Sequence, residues 1–563
     1  MGYRNIVAMA AAIIILVTVV VVSGQEVVVK LKPYDGTAES FVNAQIVADT
    51  TAAGGLQANR VYELARGKYY LHNAIFTVPN GKWLRMRAEA GTGPKPVIYL
   101  WETGTGSNPT RPPGNFVVLN GGNLELKDIC IAGFFEPEPD RVGGVQGGLI
   151  NTTAVGSTII LDGVIMSNIN GQHVRTGQNT VKVQITNSIF ANMGALTTSN
   201  LGAGKGIDLR EAACDTFIVV NNTFVNYQDR AIRHYNFSNP QAGTGEIKYG
   251  RIEHNTFVNG MGFHGLFSLG NVGPEIIITN NLFVDAFALG EDSTDVTRAA
   301  EWANTGEFYP NGLNRITWIF TAPNEVTQWT VRNNYYTISD SGWAFLNDFK
   351  FGPGSPLSYH INKRLGADSV NAFTYINLSL VKIPRLMTNM MRWYESPTGG
   401  GRKKDQTNFV KERDDYDRRR IEFYRDTLNC SYPMTSVAYT GAQGGFPVGD
   451  LNWFPDKKAE WEQWVTRVQS EKGRMPTQFA LHQNYPNPFN PSTTISFSID
   501  KAGPVKLTVY NLLGQHMATL LDRNLSAGYH QVEFNASHLS DGVYFYKLEA
   551  NGKASVRKML LLK

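Results

Sequence analysis

Three short phrases gather ionisable residues in a pattern that could do chemistry. They are "GKGIDLRE" (Lys205, Asp208, Arg210, Glu211), "YQDRAIRHYN" (Asp229, Arg230, Arg233, His234) and "YGRIEHN" (Arg251, Glu253, His254), with His264 after them. β-Elimination on a uronic-acid glycan asks for such a set: arginine or a divalent cation neutralises the carboxylate, and lysine or arginine takes the C5 proton. On this reading Arg233, Arg210, Lys205 and His234 are the catalytic candidates. Arg230 and Arg251 hold the substrate, and Asp208 and Glu253 offer carboxylates for Ca²⁺. Trp302 and Tyr309, in "EWANTGEFYPNGLNRITWIF", are aromatic faces able to stack on sugar rings or to pack within a long loop. If Ile207, Ile232 and Ile252 point inward, alternation sends Asp208, Arg233, Arg251 and Glu253 outward onto one face of stacked strands. The same arrangement describes a solvated strand whose Arg and Glu pair between neighbours, and His264 in "MGFHGLF" reads as packing.

What must position these groups is a repeat. The phrases "LKDICIAGF", "LDGVIMSNI", "ITNSIFANM", "VNNTFVNYQ", "EHNTFVNGM", "TNNLFVDAF" and "VRNNYYTIS" return between residues 125 and 340. The asparagine ahead of the aromatic residue falls at Asn187, Asn222, Asn255, Asn281 and Asn334, with spacings of 35, 33, 26 and 53. The last gap holds two coils, or one with an insertion. Such a period means a solenoid whose units bury their faces only against neighbours. Short runs of Val, Ile and Phe bounded by Gly and Asn make the unit one of strands. In a right-handed parallel β-helix, asparagine tolerates the left-handed bend and can hydrogen-bond to its counterpart one coil away, so these residues are assigned to a structural ladder.

Over roughly residues 60 to 380 the pattern resembles the pectate-lyase-like β-helix superfamily, whose fold carries lyases, hydrolases, esterases, adhesins and inert stalks alike. The resemblance therefore implies a fold and leaves the chemistry open. The Asn-Thr-Asp context and Gly-His-Gly phrase of the pectin hydrolases are missing, and His264 follows Phe263. The one Asp-Asp pair, Asp414 and Asp415, sits in a charge run outside the repeats. The Arg-x-Pro-x-x-Arg phrase of pectate lyases is absent, while Arg233-His234 resembles the Arg-His of alginate and chondroitin lyases. A surface protein without catalysis, an adhesin, glycan-binding module or stalk, fits the same repeats.

Around the repeats the chain divides further. Residues 1–24 carry Arg4, an apolar run from Ile6 to Val22 and a small-residue end, which reads as a secretory signal cleaved after Gly24 or kept as an anchor. Residues 25–384 form the β-helix with an amino-terminal cap over 25–60. Residues 385–475 close its far end and include a helix carrying Trp461, Trp464 and Val465, capped by Asp456. In bacteria of the Bacteroidota type, similar β-helices finish with a Gly-Asp-x-x-Trp phrase, here Gly449, Asp450 and Trp453. Net charge is only +4 in 563 residues, which excludes the basic field that nucleic-acid binding needs. Cys130, Cys214 and Cys430 are too few and too scattered for a disulfide framework.

Residues 479–563 read as six or seven short strands, an Ig-like sandwich behind a polar linker. The prolines of "NYPNPFNPST" make that phrase a lead-in outside the core. With "GVYFYKL" and the terminal "KMLLLK", it resembles the type A C-terminal sorting domain of type IX secretion cargo. That resemblance implies export across both membranes of a Gram-negative bacterium, the type IX machinery as a partner, and a tail commonly removed from the cargo.

Overall fold

The computed structural model of the chain describes residues 25–101, 114–133, 148–169, 171–194, 201–202, 204–210, 212–234, 245–292, 294–298, 319–321, 327–403, 428–472, 479–525 and 528–563. The leader, the charge run with Asp414 and Asp415, Glu211, Trp302 and Tyr309 lie outside the described residues.

Among the described residues three parallel sheets of eight, ten and ten strands run the length of the repeats. Each coil contributes one strand to each sheet in turn. Gly148–Ala154, Ser157–Asp162 and Ile165–Ile169 belong to sheets 1, 2 and 3, and Gln172–Thr176, Thr180–Thr186 and Ile189–Met193 lie on them one coil later. The protein is a parallel β-helix. Its interior is a continuous apolar column in which Phe190, Phe224, Phe257 and Phe283 stack with ring centroids 4.8, 4.9 and 5.0 Å apart. His173 extends that stack onto Phe190, wholly buried and with neither ring nitrogen hydrogen-bonded.

The asparagine phrase serves two functions at adjacent residues. Asn187, Asn221, His254, Asn280 and Asn333 take the left-handed backbone at the bend between sheets 2 and 3. The residue after each makes the ladder: Asn255 Oδ1 accepts from the N–H and Nδ2 of Asn222, while Asn255 Nδ2 donates to Asn281 Oδ1 and Val219 O, all at 2.9–3.0 Å. Asn281 repeats the contact with Asn334, so the gap of 53 is one coil with an insertion. The marker at Asn187 is displaced by one, since the ladder position in that coil is Ser188, whose N–H donates to Asn222 Oδ1 at 2.9 Å. A second ladder, which the phrase did not reveal, closes the bend after sheet 3. There Asn168, Asn192, Asn226 and Asn259 are left-handed and linked Nδ2 to Oδ1 at 2.7, 2.9 and 3.3 Å.

At the amino-terminal end the helix Val42–Ala52 places Val42 and Ile46 over the column, and Val27–Lys30 already pairs into sheet 2. The far end is closed by Tyr359–Leu365 and the turn after it, with Ile361 and Ala372 buried. That corrects the assignment of end closure to residues 385–475. The outward residues of sheet 3 are mostly apolar, among them Ala132, Ala191, Val225, Val258 and Val284, with Thr223 and Thr256 between them, and residues 428–465 pack along that flank through Val448, Leu451 and Trp461. The contact is fastened where Asp450 Oδ2 accepts from Thr223 Oγ1 at 2.7 Å, its N–H donates to Thr256 Oγ1, and Trp453 Nε1 donates to Thr223 Oγ1. The following helix begins at Pro455, so Asp456 sits in its first turn instead of capping it.

The tail holds two antiparallel sheets of three and four strands over Ala480–Leu561, with its own core around Ile495, Leu507, Tyr546 and Leu548. Its opening phrase is more than a lead-in. The prolines stay out of the strands, but Phe489 is buried and bonds Leu560 and Leu562 through its backbone. Asn484 donates to Tyr546 Oη through its N–H and to Thr493 Oγ1 through Nδ2.

Asn255→Ala is expected to destabilise the full chain by about 2–4 kcal/mol, because it orphans the buried Asn222 N–H on one coil and takes a donor from Asn281 Oδ1 on the next. Asn187→Ala, which burdens a left-handed residue and removes one part-buried hydrogen bond to Asp162, should cost about 1–2 kcal/mol. Denaturant unfolding measures both, and equal losses would contradict the separation of bend and ladder.

Candidate functional site

Sheet 1 gathers the charge. Its outward row reads, coil by coil, Asn151, Arg175, Asp208, Arg233 and Ser268 in register. Strands this short reach only one or two outward positions per coil, so neighbours in the row come from residues 25 to 35 apart in sequence. Arg233 Nε lies 2.8 Å from Asp208 Oδ1, and Asp208 is fully buried with no hydrogen-bond partner on Oδ2 among the described residues.

Beside the row Asp229 forms a hub. Lys205 Nζ lies 2.8 Å from its Oδ2, Arg230 Nε 3.1 Å from the same oxygen, and His264 Nδ1 2.7 Å from Oδ1. Arg230 Nη1 donates to Ser268 Oγ at 3.0 Å, which ties the hub to the row. Lys205 also donates to the Gly202 carbonyl. Burial pushes the Asp229 carboxyl up, but Arg230, Lys205 and His264 outweigh it and hold it well below the usual carboxylate range. Burial pushes the Lys205 ammonium down to about 8 against the pull of Asp229. Lysine, arginine and aspartate are rarely this buried on an outward face, and here they survive through mutual pairing.

The sequence-derived set divides against this geometry. Lys205, Asp208, Arg230 and Arg233 converge. Arg251 and Glu253 do not join them: their strand, Ile247–Glu253, belongs to sheet 2, where Ile252 aligns with Val219 and Ile278 and not with Ile232. The third rung above Asp208 and Arg233 is Ser268. Arg251 and Glu253 instead pair with each other, Nε to Oε2 at 2.6 Å, and Glu253 Oε1 accepts from Asn280. The proposed Ca²⁺ pair is therefore split between two sheets, with each carboxylate answered by an arginine. Arg210 sits at a left-handed turn with its side chain exposed and its N–H bonded to Asp208 Oδ1. His234 is wholly buried, with Nε2 facing the Ala212 carbonyl and Nδ1 accepting from the Gly270 N–H. Burial lowers it to about 4, and both nitrogens are committed, so it has no lone pair or proton to offer a substrate. His264, read as packing, is both a ring against Phe263 and a partner of Asp229.

Arg175 was missed because no repeat phrase contains it; counting one coil back from Asp208 would have found it. A second buried cluster was equally invisible, since its members lie a hundred residues apart. Asp292, Asp295 and Glu395 bring carboxylate oxygens within 4.8 Å of one another. Arg298 lies 2.9 Å from Asp295, and Arg402 lies 3.1 Å from Asp292 and 2.7 Å from Glu395. Two guanidinium groups already balance most of that charge, which makes it an ion-pair knot and a poor cation site.

Residues 483–562 match the family described as the secretion system C-terminal sorting domain. No curated protein matches the chain. The tail marks a protein exported by the type IX system and attached to or released at the cell surface, with the type IX machinery as its partner.

Four buried histidines set the acid response. Burial lowers His72 and His173 to about 3, and His234 and His254 to about 4, from the ordinary 6.5. The unfolded chain takes up these protons first, so the stability from neutral burial is present above about pH 6.5 and is lost as pH falls below it. Asp450, raised to about 6 by burial, has the opposite sign: its contribution is lost as pH rises through 6. Asp285 and Glu395, also raised by burial, share that sign, and the four histidines outweigh these three carboxyls, since every tenfold change in a group's proton affinity on folding is worth ~1.4 kcal/mol. Chemical unfolding should therefore give several kcal/mol less stability at pH 5 than at pH 7, and His173→Phe should flatten the profile. Equal stability at the two pH values would sink this account.

Proposed function

We propose that the exported β-helix binds an acidic polysaccharide along the outward face of sheet 1 and cleaves it by β-elimination. The observation that carries this reading is the charged wall itself, in which the half-buried Arg175 and Arg233 and the buried Lys205 and Arg230 gather around Asp208 and Asp229. Guanidinium groups on neighbouring coils suit a uronate carboxylate, which Arg233 and Arg175 would neutralise. Lys205, lowered to about 8, holds a usable unprotonated fraction near neutral pH and is the base this reading assigns. Export to the cell surface puts the protein where such polymers are met.

A non-catalytic glycan-binding or adhesive role is favoured by a separate observation. Asp229 already holds three partners and Lys205 is only 2 % exposed, as in a network that satisfies itself.

The test is incubation of the full chain with a panel of uronic-acid polysaccharides, with and without Ca²⁺, following the ultraviolet absorbance of unsaturated products and, separately, binding. Lysis is expected on at least one polymer. Lys205→Met should reduce kcat at least a hundredfold, and Arg175→Ala should raise KM about tenfold at little cost in kcat. Binding without product would leave the adhesive reading; neither binding nor product would end both.

A further inference from the structure

The tail has two outer sides, and the cargo lies against one of them. Its three-stranded sheet, built from Ala480–Leu481, Ser492–Ile499 and Gly528–Asn535, turns Ile495 and Phe497 inward, so Thr494, Ser496, Gln531 and Glu533 point outward. That polar side meets the β-helix: Gln443 Nε2 donates to Gln531 Oε1 at 3.3 Å, and Glu533 lies 3.8 Å from Arg332. A cleft of about 690 Å³ separates the opening phrase, at Pro486 and Pro488, from Tyr335 and Ser436 of the cargo. The two sheets of the tail share one core, so the outer side of the four-stranded sheet points away from this contact.

That other side is built differently. Its strands are His516–Leu525, Gly503–Asn511, Gly542–Ala550 and Lys553–Leu561, and alternation sends Leu507, Val509, Tyr546, Leu548 and Met559 into the core. On the outward side Tyr510 lies beside Phe545 and Phe545 beside Lys558, Val543 beside Leu560, and Lys547 beside Val556. A sheet side that faces water is ordinarily polar, yet all of these but the two lysines are apolar or aromatic. The patch continues onto the hairpin after Asn511, where Leu512 and Leu513 are 70 % and 81 % exposed. The turn does not need them. Asn511 Oδ1 accepts from the N–H groups of Leu513 and Gln515 at 3.0 and 2.9 Å, and Gly514 takes the left-handed φ of 75°. Another hairpin of the same sheet turns on Asn551 and Gly552 alone. Two leucines held in water give the fold no burial, and an exposed apolar patch of this extent marks an interaction site. Charge adds little at its rim, since Lys547 pairs with Glu549 at 2.7 Å and Lys506 with Asp522 at 3.2 Å.

We propose that this side of the four-stranded sheet, with the Leu512–Leu513 tip, is the surface that the type IX machinery grips, and that it does so through apolar contact. The family match over residues 483–562 supplies the partner, and the cargo's place against the three-stranded sheet leaves this side for it. Recognition here lets the tail be held without leaving its cargo, whatever the β-helix binds.

Export of the full chain in a bacterium that carries the type IX machinery tests this, read as the fraction of the protein at the cell surface or in the medium. Leu512→Ser with Leu513→Ser should lower that fraction at least tenfold and leave intact chain in the periplasm. The Tm of the purified variant should be unchanged, because both side chains are already exposed. Leu512→Met with Leu513→Met should export normally, and so should Gln531→Ala with Glu533→Ala on the side that meets the cargo. Normal export of the serine variant, a fall in its Tm, or an equal loss of export from the Gln531 and Glu533 changes would overturn the proposal. Self-association of the unaltered chain that the serine changes abolish would overturn it too, by making the patch a contact between copies.

Discussion

A stack of coils has no core except the one its neighbours supply, so every bend must return the chain to the same register. The structure rests on this constraint. A one-residue slip in a strand would exchange the inward Phe190, Phe224 and Phe257 for polar neighbours across the whole column. The bends prevent slippage by combining a left-handed residue, which fixes direction, with a buried amide or hydroxyl, which fixes height against the next coil. At the bend after sheet 2 the two functions occupy adjacent residues, and at the bend after sheet 3 a single asparagine carries both. Each ladder amide satisfies donors and acceptors on both neighbours, so no coil is complete alone.

Once the interior is settled, the three outer faces are free to differ. Sheet 2 alternates buried and half-exposed residues, as in Ser157–Asp162, and meets solvent. Sheet 3 is uncharged and mostly apolar outside, broken by threonines, and accepts residues 428–465 as a second layer. Asp450 joins the two through threonines of successive coils, a buried carboxylate whose cost shows in its raised titration. Sheet 1 carries buried charge. Because the faces share the same coils, a side chain on one flank can change without moving the register of the others.

The repeat was legible because the ladder takes asparagine in four of the five coils and the bend takes it beside the ladder in the fifth, a recurrence before an aromatic residue that is hard to produce otherwise. The tail was legible for a similar reason: its strands alternate and its opening phrase is distinctive. What sequence periodicity could not supply was the sheet to which an outward residue belongs. "YGRIEHN" looks like a third copy of the phrase around Ile207 and Ile232, yet the chain turns a corner before it, and Arg251 and Glu253 face another direction. Solvent exposure was misjudged as well. Asp208 and Glu253 read as surface residues from alternation, yet both are buried, because alternation tells which side of a strand is used, not whether something else covers that side.

The charged wall of sheet 1 can be judged against sheet 3 of the same molecule. Replacing a buried ion-pair network by well-packed apolar residues is often neutral or stabilising, because desolvation offsets much of the attraction. Sheet 3 shows that these coils stack without charge on the outward face: Ala191, Val225 and Val258 occupy three successive coils there. On sheet 1, Arg175, Asp208 and Arg233 occupy three successive outward positions at a net desolvation cost that coil stacking does not require. Pairing within the network accounts for how the charges are tolerated, and it does not account for why they are there. The proposed glycan-binding reading would give these charges a use, since cations ordered and desolvated before a ligand arrives meet an anionic polymer preorganised.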